Sequence, residues 1–108
     1  MPASPSKALL VYISCPAPAA EALATALVEA RLAACVSTLP GMRSVYRWQG
    51  RVEQAEETLL IAKTSASRYA ALEAEVRRLH PYELPEIVAV HVSGGLPAYL
   101  QWVHDSTA

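Results

Sequence analysis

The side chains with chemistry to offer in this sequence are two cysteines, a histidine ahead of a proline, a lysine ending an apolar run and two adjacent glutamates. Cys15 and Cys35 are soft donors that could hold copper as thiolates. They form no CxxC pair, which points to a reducing cytoplasm rather than a disulfide scaffold. His80, just before Pro81-Tyr82-Glu83, offers an imidazole suited to several divalent metals. Lys63 closes the run Leu59-Leu60-Ile61-Ala62 and either snorkels to solvent or faces a pocket as an anion contact. Glu56 and Glu57 are neighbours on a strand, so they point to opposite faces and cannot act together as a catalytic pair. Each residue also has a plainer reading. The cysteines suit small buried hydrophobes, and His80 could bond the last carbonyls of a helix. Trp48 and Trp102 suit core or interface anchors, and His91 and His104 read as strand and surface histidines. No Ser/His/Asp order, phosphate-cradling glycine loop or metal-hydrolase spacing occurs, so the sequence makes no case for an enzyme.

The elements that must position these groups can be read in order. Met1 to Ser6 reads as a flexible tail, and Lys7 to Ser14 as a continuous apolar strand, central in its sheet. That apolar run is far too short to span a membrane. Pro16 and Pro18 suit the first turn of a helix. Ala20, Leu23, Ala24, Leu27, Val28 and Leu32 then recur at helical spacing, to about Arg31. Two strand-like arms flank a Gln49-Gly50 turn in which Gly50 supplies positive φ, and Pro40-Gly41 predicts a kink or bulge in the first arm. Ser65 or Ser67 is placed to cap a second helix with the stripe Tyr69, Leu72, Val76 and Leu79. His80-Pro81 ends that helix, because the residue before a proline leaves the α region. Glu86 to Val92 reads as a strand, Gly94-Gly95 as a turn, and Pro97 as the start of a last helix carrying Tyr99, Leu100, Trp102 and Val103.

The order is β-α-β-β-α-β plus a terminal helix in one domain over residues 1–108. The expected fold class is α+β: a ferredoxin-like antiparallel sheet with helices on one face, a long central hairpin and a C-terminal helix. In that fold the first two strands run parallel with another between them, so Cys15 and Cys35 could share a metal only between subunits. A copper chaperone of this fold needs paired cysteines after strand one, where Ser14-Cys15-Pro16-Ala17 has one. An acylphosphatase-like enzyme needs an arginine there, and none is present. An RNA-recognition module needs aromatics in a basic strand, and the chain has no Phe and no Lys/Arg cluster. Its net charge of −1 gives a phosphate backbone little to bind. No nucleic-acid or membrane partner is expected.

The second arm, Arg51 to Thr64, has no Gly or Pro to stop it. As one strand it spans about 46 Å at roughly 3.3 Å per residue. A domain of this length has a radius of gyration of about 13 Å and a diameter of about 34 Å. The hairpin therefore overhangs its own domain and leaves edges in water, which predicts a partner chain over it.

The run Ala30-Arg31-Leu32-Ala33-Ala34-Cys35-Val36, then Pro40-Gly41, Ser44 to Gly50, Glu57 and Lys63-Thr64, closely resembles the CutA divalent-cation tolerance proteins. So do His80-Pro81-Tyr82-Glu83-Leu84-Pro85-Glu86-Ile87 and Tyr99-Leu100-Gln101-Trp102; together the matches cover roughly residues 8 to 104. The resemblance implies a homotrimer, similar in architecture to the PII signalling proteins, in which the long hairpins pair with neighbouring chains. It also implies tolerance to divalent cations, copper above all, with Cys35 and His80 as candidate ligands and Cys15 matching a cysteine of some members. A cleft between subunits would take Trp48, Glu57, Lys63, Tyr82 and Trp102. Three functions are thus in view: a cytoplasmic copper- or divalent-cation-binding trimer, a PII-like sensor of a small anionic metabolite, and a structural trimer that engages another protein.

Overall fold

The continuous apolar run near the N-terminus becomes a strand paired on both sides. The structure, a computed structural model, describes residues 7–108, and the expected tail Met1–Ser6 lies outside them. The elements are β1 (Ala8–Cys15), α1 (Ala17–Glu29), β2 (Cys35–Trp48), β3 (Arg51–Ser65), a 3-10 turn (Ala66–Arg68), α2 (Tyr69–Leu79), β4 (Glu86–His91) and α3 (Pro97–Ser106). The strands form one sheet in the order β2-β3-β1-β4, and every pairing is antiparallel. This is the expected ferredoxin-like arrangement.

One face of the sheet meets α1 and α2. Leu9, Val11 and Ile13 of β1 and Leu60 and Ala62 of β3 pack with Leu23 and Leu27 of α1 and Leu72 and Val76 of α2. Burying each of the larger side chains contributes about 1.5–3 kcal/mol. Alternation along the strands turns Leu10, Tyr12, Ile61, Val88 and Leu39 to the opposite face. That face is covered only at one end, where Ser65 bonds Thr107 just after α3 at 2.7 Å. Elsewhere it stays open, with Leu39 52%, Val88 50% and Val90 41% exposed.

The turn at Gln49-Gly50 has positive φ at both residues, 50° and 80°, as a two-residue type I′ hairpin requires. The pairing of β2 with β3 slips between Leu39 and Met42, and Gly41 there takes φ 78°, so Pro40-Gly41 forms the expected bulge. Beyond Cys15↔Thr58 the hairpin has no third strand beside it among the described residues. The molecule measures 55 × 25 × 22 Å with a radius of gyration of 14.8 Å.

Some element boundaries differ from expectation. β1 and β3 each run one residue further, to Cys15 and Ser65, and β4 stops at His91. α1 ends at Glu29 rather than near Arg31, because Arg31 itself adopts φ 59°. The amide of Leu32 then donates to Leu27 O at 2.9 Å and that of Arg31 to Val28 O at 3.0 Å, the bond pattern of a left-handed helix terminus. Neither Ser65 nor Ser67 caps α2; the 3-10 turn intervenes and no side chain caps it. In α3 only Val103 is buried, while Tyr99 and Trp102 remain exposed beside each other, ring centroids 5.5 Å apart.

Candidate functional site

Two prolines bring the sequence's candidate residues to the C-terminal end of β1. Pro16 ends the strand with φ −62° and ψ 143°, and α1 starts directly after it. At the far end of α2, His80 precedes Pro81 and is extended, with ψ 136°, as the clash with the proline ring demands. This turn aims the imidazole back at β1. His80 Nε2 lies 2.7 Å from the Ser14 carbonyl oxygen, and the Tyr82 amide donates to Nδ1 at 3.1 Å. Since Nδ1 accepts, Nε2 carries the hydrogen and donates to Ser14. His80 is buried, and both ring nitrogens are committed, which leaves no lone pair for a metal in this conformation. Its bond reaches across the fold to β1 rather than to the last carbonyls of its own helix.

Glu57 lies at the root of the overhanging hairpin and is only 6% exposed, whereas Glu56 beside it faces solvent. Tyr82 covers it. Burial, a hydrogen bond to Glu57 and the charge of Glu57 push the Tyr82 phenol above its ordinary value. Cys15 is fully buried, and its thiol is pushed up by burial first and then by the Glu57 charge. Around these groups runs a groove of about 710 Å³ between the hairpin and the segment after α2. Tyr46, Arg47 and Trp48 line it from β2, Glu57 from β3, Tyr82 and Glu83 from the segment, and Ser14 and Glu86 from the ends of β1 and β4. Ser14 Oγ donates to Glu86 at 3.3 Å.

Within one chain the structure brings Trp48, Glu57 and Tyr82 together, and Lys63 and Trp102 do not line the same groove. Lys63 pairs in register with Cys35; its ammonium donates to Ser37 Oγ at 2.6 Å and lies 3.8 Å from Cys35 Sγ. Trp102 stands on α3. Cys35 is half-buried and free. It is roughly 19 Å from Cys15, two strands across and five residues along, at about 4.8 and 3.3 Å per step. Among the described residues no three His, Cys, Asp or Glu converge to hold a metal ion, so Cys15, Cys35 and His80 do not form a copper site within one chain. The groove members Ser14, Tyr46, Arg47, Glu83 and Glu86, and Ser37 beside Lys63, were not singled out from the sequence. Their convergence depends on pairings across the sheet that no local signal carries.

The family model of the CutA1 divalent ion tolerance protein matches residues 9–106. The chain belongs to the CutA1 family. It is 48% identical over 88 residues to the divalent-cation tolerance protein CutA of Thermus thermophilus, covering 82% of this chain and 85% of that one. It is 42% identical over 104 residues to mouse protein CutA, covering 95% of this chain and 59% of the mouse protein; it thus spans about six-tenths of that relative. Among solved structures, CutA of Xylella fastidiosa superposes with a TM-score of 0.92 at 46% identity, covering 95% of this chain and all of that one. The PII-like protein CutA of Nostoc superposes at 0.88 and 33% identity, covering 93% and 97%. The CutA family is one of divalent-cation tolerance, and its members include PII-like proteins by fold.

Proposed function

We propose that this chain is the subunit of a homotrimer that binds a divalent metal ion, copper first, and serves metal tolerance in the cytoplasm without catalysing a reaction. The observation that carries this reading is the position of Cys35. It is a partly accessible soft donor beside the sheet face that the α3 region covers only at one end, and among the described residues of one chain it has no companion ligands. A second copy laid on the open face and along the hairpin would bury Leu39, Val88 and Val90 and bring further donors to the sulfur. Thiolate and imidazole donors suit copper, and the affinity order of first-row divalent ions peaks there. His80 joins such a site only by giving up its bond from the Tyr82 amide. Two free, distant cysteines suit a reducing compartment. The test is a copper titration of metal-stripped protein against a competing chelator, beside Cys35→Ser. Saturation at a whole number of ions per trimer, weakened at least tenfold in the variant, is expected; weak uptake equal in both proteins would reject the role of Cys35.

The groove favours a second reading, a PII-like sensor of a small molecule. Its volume falls within the range of small-ligand sites, and Trp48, Glu57 and Tyr82 meet there. Within one chain Lys63 is not among its lining residues; in a cleft between subunits it would supply the charge for an anion.

A further inference from the structure

We infer that His80 is the positioning residue of the groove wall, a tether between β1 and the Tyr82 backbone, and not a metal ligand. This goes beyond the metal-binding reading and stands whether or not copper binds. A metal-binding histidine almost always donates one ring N–H to a neighbouring acceptor and offers its other nitrogen to the ion. His80 meets the first half of that pattern, with Nε2 2.7 Å from the Ser14 carbonyl oxygen. It fails the second, because the Tyr82 amide donates to Nδ1 at 3.1 Å. Neither partner can change its role: a carbonyl only accepts and an amide N–H only donates. The other tautomer would set donor against donor at Nδ1 and acceptor against acceptor at Nε2. The main chain therefore fixes which nitrogen carries the hydrogen, and it occupies the lone pair a metal would need. Both bonds lie within one chain and do not depend on a neighbouring copy.

What the tether holds is Tyr82. Its ring lies against the imidazole, with centroids 4.8 Å apart and planes at 54°, and its phenol donates to Glu57. Ser14 stands on β1, His80 directly after α2 and Glu57 on β3. A line of contacts, Ser14 to His80 to Tyr82 to Glu57, thus crosses the root of the hairpin. The segment around Tyr82 has little packing of its own: Pro81, Glu83 and Leu84 are exposed, Leu84 by 71%, and Pro81 has no N–H to give. Removing the Nδ1 acceptor frees the Tyr82 amide, and with it the ring that covers Glu57.

The test is NMR of the ring and amide nitrogens of the full chain in its solution assembly. In the unmutated protein the His80 ring is expected as the neutral tautomer with its hydrogen on Nε2. Both ring signals should stay in place as zinc chloride, a diamagnetic divalent probe, is added to excess. Two variants then divide the imidazole between them. His80→Asn keeps an acceptor at the place of Nδ1, and His80→Gln keeps a donor at the place of Nε2. Exchange of the Tyr82 amide hydrogen is expected to stay within about threefold of the parent in His80→Asn and to rise about tenfold or more in His80→Gln. A general loss of packing would move both alike, so equal exchange in the two variants overturns the positioning role. A ring found with its hydrogen on Nδ1, or one that shifts saturably with zinc, overturns the inference without any variant having to fold. A protein that takes up neither zinc nor copper would refute the metal reading of Cys35, while the tautomer and the variants still decide this one.

Discussion

Cys15 shows how position decides the role of a reactive side chain. Its thiol is fully buried and held above the ordinary value of 9.0, first by burial and then by Glu57. The folded state therefore prefers the neutral thiol. Below pH 9 both states keep the proton and the contribution is fully present; as pH rises past 9 the unfolded chain ionises first, and stability falls until the folded thiol titrates. Denaturant unfolding at neutral pH and near pH 10.5 should show this loss, and Cys15→Ala should lose less over the same interval. Equal losses in the two proteins would discount Cys15. The buried-hydrophobe reading of this residue was available from the ordinary behaviour of a free cysteine. The bond from His80 to Ser14 was not, since the two stand 66 positions apart and nothing local to either announces the other.

At the scale of elements, turn chemistry was legible where glycine or proline wrote it. Gly50 marked the hairpin turn, Pro40-Gly41 the bulge and Pro81 the end of α2, each by a steric rule that acts within a few residues. The end of α1 was hidden because an arginine occupies the left-handed position where glycine is usual. That conformation costs a non-glycine residue roughly 1–2 kcal/mol. Arg31→Gly should therefore raise stability, by up to about 1 kcal/mol after the greater flexibility of glycine in the unfolded chain is set against it. Chemical denaturation would measure this, and a destabilised variant would show that the Arg31 side chain outweighs its backbone strain. The cap expected at Ser65 failed for a different reason: β3 extends through that residue, and its hydroxyl is taken by Thr107.

For the whole molecule, the length of one uninterrupted arm was enough to anticipate an elongated shape, and the 55 Å long axis agrees with it. The groove was beyond reach, because it joins the ends of β1 and β4, the hairpin and the segment after α2. If neighbouring copies cover the hairpin and the open sheet face, light scattering at micromolar concentration should give three times the chain mass of 11.6 kDa; a value equal to one chain would refute the trimer. The sheet order also governs how the chain comes together. The hairpin can zip outward from its two-residue turn, on the microsecond scale of such units. β1 has no such neighbour: its partners β3 and β4 both lie far along the sequence, Glu86 standing 72 positions after Ser14. Closing those loops precedes any gain from the contacts. The most apolar strand is thus the first synthesised and among the last to be sheltered, and until the second half of the chain arrives its sequence is the one most exposed to association with the wrong partner.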